Sequence, residues 1–106
     1  MAKMKPIHPG EVLLEDFLSP LGISQNLLAR ETRMSPRRIN EITLGKRAIT
    51  GDTAIRLGLF FGVEPEFWMN LQSRYDLESA QGEFESRRPK LSIRAGRYKA
   101  VAAASR

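Results

Sequence analysis

The stretch from Ser24 to Arg47 constrains the fold more than any other part of the chain. It contains two short helix signals, each with its own start and stop. The Ser24 hydroxyl is placed to cap a helix from Gln25 to about Thr32. About three residues later, Ser35-Pro36 supplies a second cap followed by proline at the first helical position, where its fixed φ suits the helix and its missing N–H costs nothing. That second helix runs to about Thr43, and Gly45 ends it in the left-handed conformation. Leu28 and Ala29 face inward from the first helix, and Ile39 and Ile42 mark one side of the second. Ala29 is small and central, so the second helix can cross close to the first. Arg37, Arg38, Asn40 and Glu41 fall elsewhere on the surface of the second helix.

The flanking segments read as further helices. Pro9-Gly10-Glu11 opens one, with Glu11, Glu15 and Asp16 in its first turns, where the helix dipole favours negative charge. Leu13, Leu14, Phe17 and Leu18 form its apolar face, and Pro20 and Gly22 are expected to stop it. His8, the only histidine, sits just before the helix start and reads as a cap or surface residue. Thr50 opens a fourth helix with Asp52 in its first turn, a stripe of Ala54, Leu57 and Phe61, and Gly62 at its end. A fifth begins near Pro65-Glu66 and is expected to reach about Gln81, with Phe67, Trp68, Leu71 and Tyr75 on a broad apolar face. No segment alternates with period 2 for long enough to make a strand. The expected fold is all-α, five helices within a domain spanning residues 7–81. Residues 82–106 are expected to form a flexible basic tail, with Ala100 to Ala104 as a possible helical turn.

Charge locates the working surface. The formal net charge is +5, yet residues 1–81 hold 10 Lys/Arg against 10 Asp/Glu and are neutral. Residues 82–106, with 7 basic and 2 acidic, supply the whole excess. Within the neutral part, Arg33, Arg37, Arg38, Lys46 and Arg47 face Glu41 alone, a local +4. A cationic island on a neutral domain suits phosphate contact. The chain has no cysteine, and so neither disulfides nor a thiolate site. No apolar run approaches the roughly 20 residues that cross a bilayer, and no secretory signal opens the chain; a cytoplasmic location is expected.

Two short helices joined by a tight turn match the helix-turn-helix geometry, in which the second helix enters the major groove of DNA and the first crosses the backbone. Arg37 and Arg38 stand in the first turn of that helix, where base edges are met. Asn40 can pair with adenine and arginine with guanine, and Thr43 lies one turn on. Gln25 and Ser35, at helix starts, and Lys46 and Arg47, after the second helix, are candidates for the DNA backbone. Against this stands the plain reading that such residues only solvate a helix face. The agreement of caps, small residue, turn length and charge island favours DNA. Glu15-Asp16 and Glu64/Glu66 are explained by helix N-termini, and no nucleophile–base pair, metal-ligand cluster or phosphate loop suggests an enzyme, a metal or a cofactor.

The chain also resembles the HigA-type antitoxins, known too as virulence-associated protein I, within the lambda-repressor-like (Cro/C1, or XRE) class. The resemblance rests on His8-Pro9-Gly10-Glu11-Val12-Leu13, Pro20-Leu21-Gly22-Ile23-Ser24-Gln25, Ser35-Pro36-Arg37-Arg38-Ile39-Asn40-Glu41-Ile42, Gly45-Lys46-Arg47-Ala48-Ile49-Thr50 and Phe67-Trp68-Met69-Asn70-Leu71-Gln72. It implies a homodimer on a palindromic operator in its own promoter, with half-sites roughly 34 Å apart, and a HigB-type toxin as partner. It also implies that the fifth helix, here Phe67, Trp68, Leu71 and Tyr75, contributes to the dimer contact. The turn departs from the family, carrying Arg33 where glycine is usual. A left-handed Arg33 costs about 1–2 kcal/mol, so the turn either relaxes or has its strain offset, for example by a phosphate contact. The competing readings are a stand-alone regulator of the same fold without a toxin, and a protein–protein adaptor.

Overall fold

The computed structural model describes residues 5–98, and the basic end of the chain beyond Tyr98, including Ala100 to Ala104, lies outside the described residues. Five helices follow one another, and no strand occurs among the described residues. The first, α1, covers residues 9–21 as three continuous pieces: α-helical Pro9–Val12, a π-helical stretch Leu13–Leu18, and α-helical Ser19–Leu21. The others are α2 (Gln25–Thr32), α3 (Pro36–Thr43), α4 (Gly51–Phe61) and α5 (Pro65–Leu91).

The local signals act as their chemistry requires. His8 Nδ1 accepts from the Gly10 N–H at 2.9 Å and caps α1. Ser24, Ser35 and Thr50 cap α2, α3 and α4 through their hydroxyls. Pro20, expected to help stop α1, instead lies within it. Proline has no N–H and its ring collides with the carbonyl four residues back. The widened π turn avoids that collision: the Ser19 N–H donates to Leu14, five residues back. Gly22, left-handed at φ 66°, then ends the helix.

One core joins the helices. Leu13 and Leu18 of α1, Leu28 and Ala29 of α2, Ile39 and Ile42 of α3, Ala54 and Leu57 of α4 and Trp68 of α5 are all buried. Phe61, expected on the buried stripe of α4, is half-buried and packs against that core beside Phe17. Two features set the closest approaches. A Cβ at Gly10 would lie 1.7 Å from the Ile42 carbonyl oxygen, so the start of α1 rests directly on the backbone of α3. Buried Gln72 accepts from the Ile49 N–H at 2.7 Å and donates to Asp76 at 2.9 Å, tying the segment after α3 to α5.

The largest difference from expectation is in α5, which continues to Leu91 rather than stopping near Gln81. Residues 82–91, expected in a flexible tail, are therefore helical. Their side chains, where described, are exposed. No proline falls between Pro65 and Pro89, and Glu83, Glu85, Arg87 and Leu91 are residue types that favour helix without any core contact. A helix of 27 residues spans about 40 Å, so its second half projects from the bundle. Among the described residues no helix is long and apolar enough to cross a membrane.

Two outcomes follow for stability. Gly10→Ala drives a methyl group into the Ile42 carbonyl and is expected to destabilise the fold by about 1–3 kcal/mol; an unchanged urea midpoint would contradict the contact. Burial lowers the His8 pKa below its ordinary 6.5, against a smaller opposing pull from Asp76. As pH falls through 6.5 the unfolded chain takes up its proton first, so protonation favours unfolding. The melting temperature should hold steady above about pH 7 and fall toward pH 5.5. His8→Asn, which keeps a cap acceptor without titrating, should flatten that fall.

Candidate nucleic-acid interface

The inward anchoring of Ile39 and Ile42 decides which side chains of α3 face out. Both are 0% exposed, and helical periodicity then turns Arg37, Asn40, Glu41 and Thr43 toward the remaining surface. Asn40 Nδ2 donates to Gln25 Oε1 at 3.3 Å, which brings together the two residues proposed for base and backbone from separate helices. Thr43 is half-buried and donates to the Asn40 carbonyl at 2.9 Å. Ser35 Oγ is occupied by the Arg38 N–H at 3.1 Å. Lys46 is exposed and forms no ion pair among the described residues.

Glu41 organises the cationic island. Its carboxylate takes Arg37 Nε at 3.2 Å on one oxygen and Arg47 Nε at 2.8 Å on the other. These hydrogen bonds, that of Arg47 first, hold its carboxyl below the usual carboxylate range. The group therefore stays charged at neutral pH, and two of the expected DNA-facing arginines are parked on it. The Arg37 side chain is nonetheless 86% exposed.

Arg38 is paired with the start of α4. Its guanidinium donates to Asp52 at 3.1 Å and to the Thr53 hydroxyl, and its side chain is 26% exposed. Asp52 also accepts from Arg56 Nε at 2.9 Å. Arg56 in turn donates through Nη1 to the Thr32 carbonyl at 2.8 Å and the Arg33 carbonyl at 3.3 Å. The start of α4 thus clamps both helices: α3 through Arg38, and the C-terminal carbonyls of α2 through Arg56, where a cation also complements the helix dipole. Arg56, then Arg38, hold the Asp52 carboxyl below its ordinary value. The turn itself does not relax. Arg33 is left-handed at φ 58°, ψ 39°, and its exposed carbonyl finds Arg56. Sequence reasoning missed Asp52, Thr53 and Arg56 as determinants of this surface; the i,i+4 spacing of Asp52 and Arg56 was the available signal.

On α5 the expected dimer residues divide. Trp68 is completely buried by its own chain, packed against Phe17 and Phe67 with ring centroids 4.9 and 5.1 Å away, so it supports the surface from behind and supplies none to a partner. Phe67 is 37% exposed. Leu71 is half-buried, and Tyr75 lies edge-on to His8 at 4.8 Å. Among the described residues no group of His, Cys, Asp or Glu is placed to hold a metal.

Two helices crossing over residues 33–35, the second anchored inward and presenting a polar, cationic outer face, define a helix-turn-helix protein. A helix-turn-helix family profile matches residues 15–68. Virulence-associated protein I of Dichelobacter nodosus is 46% identical over 84 residues, covering 79% of this chain and 78% of its own. The structure of the Pseudomonas aeruginosa antitoxin HigA with the higBA promoter superposes with a TM-score of 0.79 at 41% identity, covering 85% of this chain and 97% of that one. A second Pseudomonas aeruginosa protein, in complex with its 18-base-pair operator DNA, gives 0.73 at 46% identity, covering 76% and 87%. The chain belongs to the helix-turn-helix family, among the HigA-type antitoxins that include virulence-associated protein I. That family is one of DNA-binding regulators, not an enzyme class.

The Glu41 cluster makes a specific outcome testable. Glu41→Gln frees Arg37 and Arg47 and removes a negative charge from the surface. Affinity for a random duplex should rise, and the salt slope should steepen by up to about one unit. An unchanged slope and unchanged random-duplex affinity would contradict the restraining role.

Proposed function

We propose that this protein is an autorepressing antitoxin. It binds a palindromic operator in its own promoter as a dimer, with α3 in the major groove, and neutralises a HigB-type toxin. One observation carries the reading. The polar face that α3 presents, coupled through Asn40 to Gln25 at the start of α2, occurs in a chain 41% identical over most of its length to an antitoxin solved with its promoter.

The residues fall into three roles. Arg37 and Asn40 read base edges, since their side chains are exposed on the outer face of α3. Gln25, Ser35, Thr43, Lys46 and Arg47 meet the backbone around them, with Gln25 also fixing the Asn40 amide. Arg38 positions α3 from behind through Asp52 and Thr53. Phe67, with Leu71 and Tyr75 beside it, forms the contact that spaces the two recognition helices about one DNA turn apart.

A footprint of the purified protein on its own promoter tests the reading. Protection of two half-sites in successive major grooves is expected, about one helical turn apart. Arg37→Ala should weaken operator binding by about 1–3 kcal/mol while affecting random DNA less. A uniform loss on all sequences would assign Arg37 to phosphate instead. Co-expression of this protein with a HigB-type toxin that arrests growth should restore growth; persistent toxicity would leave a regulator without antitoxin function.

A further inference from the structure

The cations of this chain divide into two sets. Between residues 30 and 74, six of the seven arginines are ion-paired to a carboxylate, those on Glu41 and Asp52 among them. Residues 87–106 hold seven Lys/Arg and no Asp or Glu. Of these, Arg87, Lys90, Arg94 and Arg97 are exposed and form no ion pair among the described residues. Most arginine charge of the bundle is thus spent inside the protein, while that at the end of the chain is open to an outside anion.

Helix chemistry accounts for only part of this set. Arg87 and Lys90 are three residues apart near the end of α5 and share a face. Lys90 complements the negative end of the helix dipole. The helix stops at Ser92, left-handed at φ 50°, ψ 42°, and Arg94 and Arg97 lie beyond it, where the dipole explains neither. The Arg97 guanidinium lies over the Tyr98 ring, 5.4 Å from its centroid, and both residues are exposed. A guanidinium held over a ring keeps its N–H edge free for phosphate oxygens.

α5 passes the end of α3 before it leaves the bundle. Tyr75 lies edge-on to His8, and the His8 ring is 3.7 Å from the place of a Cβ at Gly45. Arg87 follows Tyr75 by twelve residues and Leu91 by sixteen, roughly 18 to 24 Å of helix. That reach is shorter than one turn of the duplex, roughly 34 Å. We propose that this unpaired cationic end is a second DNA-binding surface, which holds phosphates of the duplex that α3 reads and does not itself read bases. Once α3 is seated, the duplex stands before it at high local concentration. An anionic membrane fits less well. The helix ends at Leu91, so the cations and the apolar Leu91, Ile93 and Tyr98 do not sort onto two faces of one amphipathic helix. The inference rests on the proposed DNA binding and adds to it a contact outside the helix-turn-helix.

Salt-dependent binding of the full chain tests this, with Arg87→Gln/Lys90→Gln/Arg94→Gln/Arg97→Gln as the variant. All four positions are exposed, and circular dichroism confirms that the variant keeps its helix content. On a random duplex the variant should lower the salt slope by about two to four units and bind about tenfold or more weakly at physiological salt. Operator affinity should fall by the same factor, so that the operator-to-random ratio is unchanged. An unchanged slope would overturn the surface, since the cations would then only solvate the end of the helix. A fall in the operator-to-random ratio would overturn its indifference to sequence. A loss confined to random RNA or to phosphatidylserine vesicles, with duplex binding intact, would overturn DNA as its ligand. The random-duplex arm uses no operator, so it stands apart from the operator reading, whose own failure would show as an absence of operator preference in the unaltered protein.

Discussion

The burial of Ile39 and Ile42 is the constraint on which the rest depends. Both side chains are fully enclosed, with α2 supplying Leu28 and Ala29 against them and α1 resting on the Ile42 carbonyl through Gly10. Once that edge of α3 is fixed inward, helical geometry leaves no freedom about which residues point out. The proposed reading face is a by-product of core packing. Removing either isoleucine would cost a few kcal/mol, a large share of the stability of a domain this size, and would release the helix that carries the function.

Polar contacts refine what the core positions. Each ion pair among Arg38, Asp52 and Arg56 is partly exposed and individually weak. Their value lies in direction. One carboxylate at the start of α4 holds the arginine of α3 and the arginine that caps α2, so the two helices share a single fixed support. The same arrangement explains how a non-glycine residue survives in the turn. The left-handed Arg33 keeps its strain, and the Thr32 and Arg33 carbonyls at the turn are satisfied by Arg56. Glu41 does the opposite work on the outer face, restraining two arginines.

What the sequence made legible was local. Ser24, Ser35, Thr50 and the glycines at 22, 45 and 62 act within a few residues of themselves, so their caps and turns were readable, as was the inward side of α2 and α3. The contacts that bridge the chain were not readable. Arg38 reaches Asp52 across 14 positions and Gln72 reaches Ile49 across 23. No periodicity marks such pairs, so the tie from Arg38 to the start of α4 shows only in the fold. Pro20 was misleading because a π turn, which leaves no composition signature, absorbs it. The extension of α5 was hidden for another reason. An exposed helix shows no core stripe, and only the sevenfold spacing of Leu77, Phe84 and Leu91 betrays it.

These features converge on a small domain whose core turns one polar, cationic helix face outward, the face proposed to meet DNA. The most direct measurement of the central claim is a titration of isotope-labelled protein with its operator duplex, followed by amide and side-chain resonances. The account predicts large shifts at Gln25 and across residues 36–47, with the Asn40 and Gln25 side-chain amides among the most affected. Shifts concentrated on residues 77–91, with α3 unmoved, would contradict it.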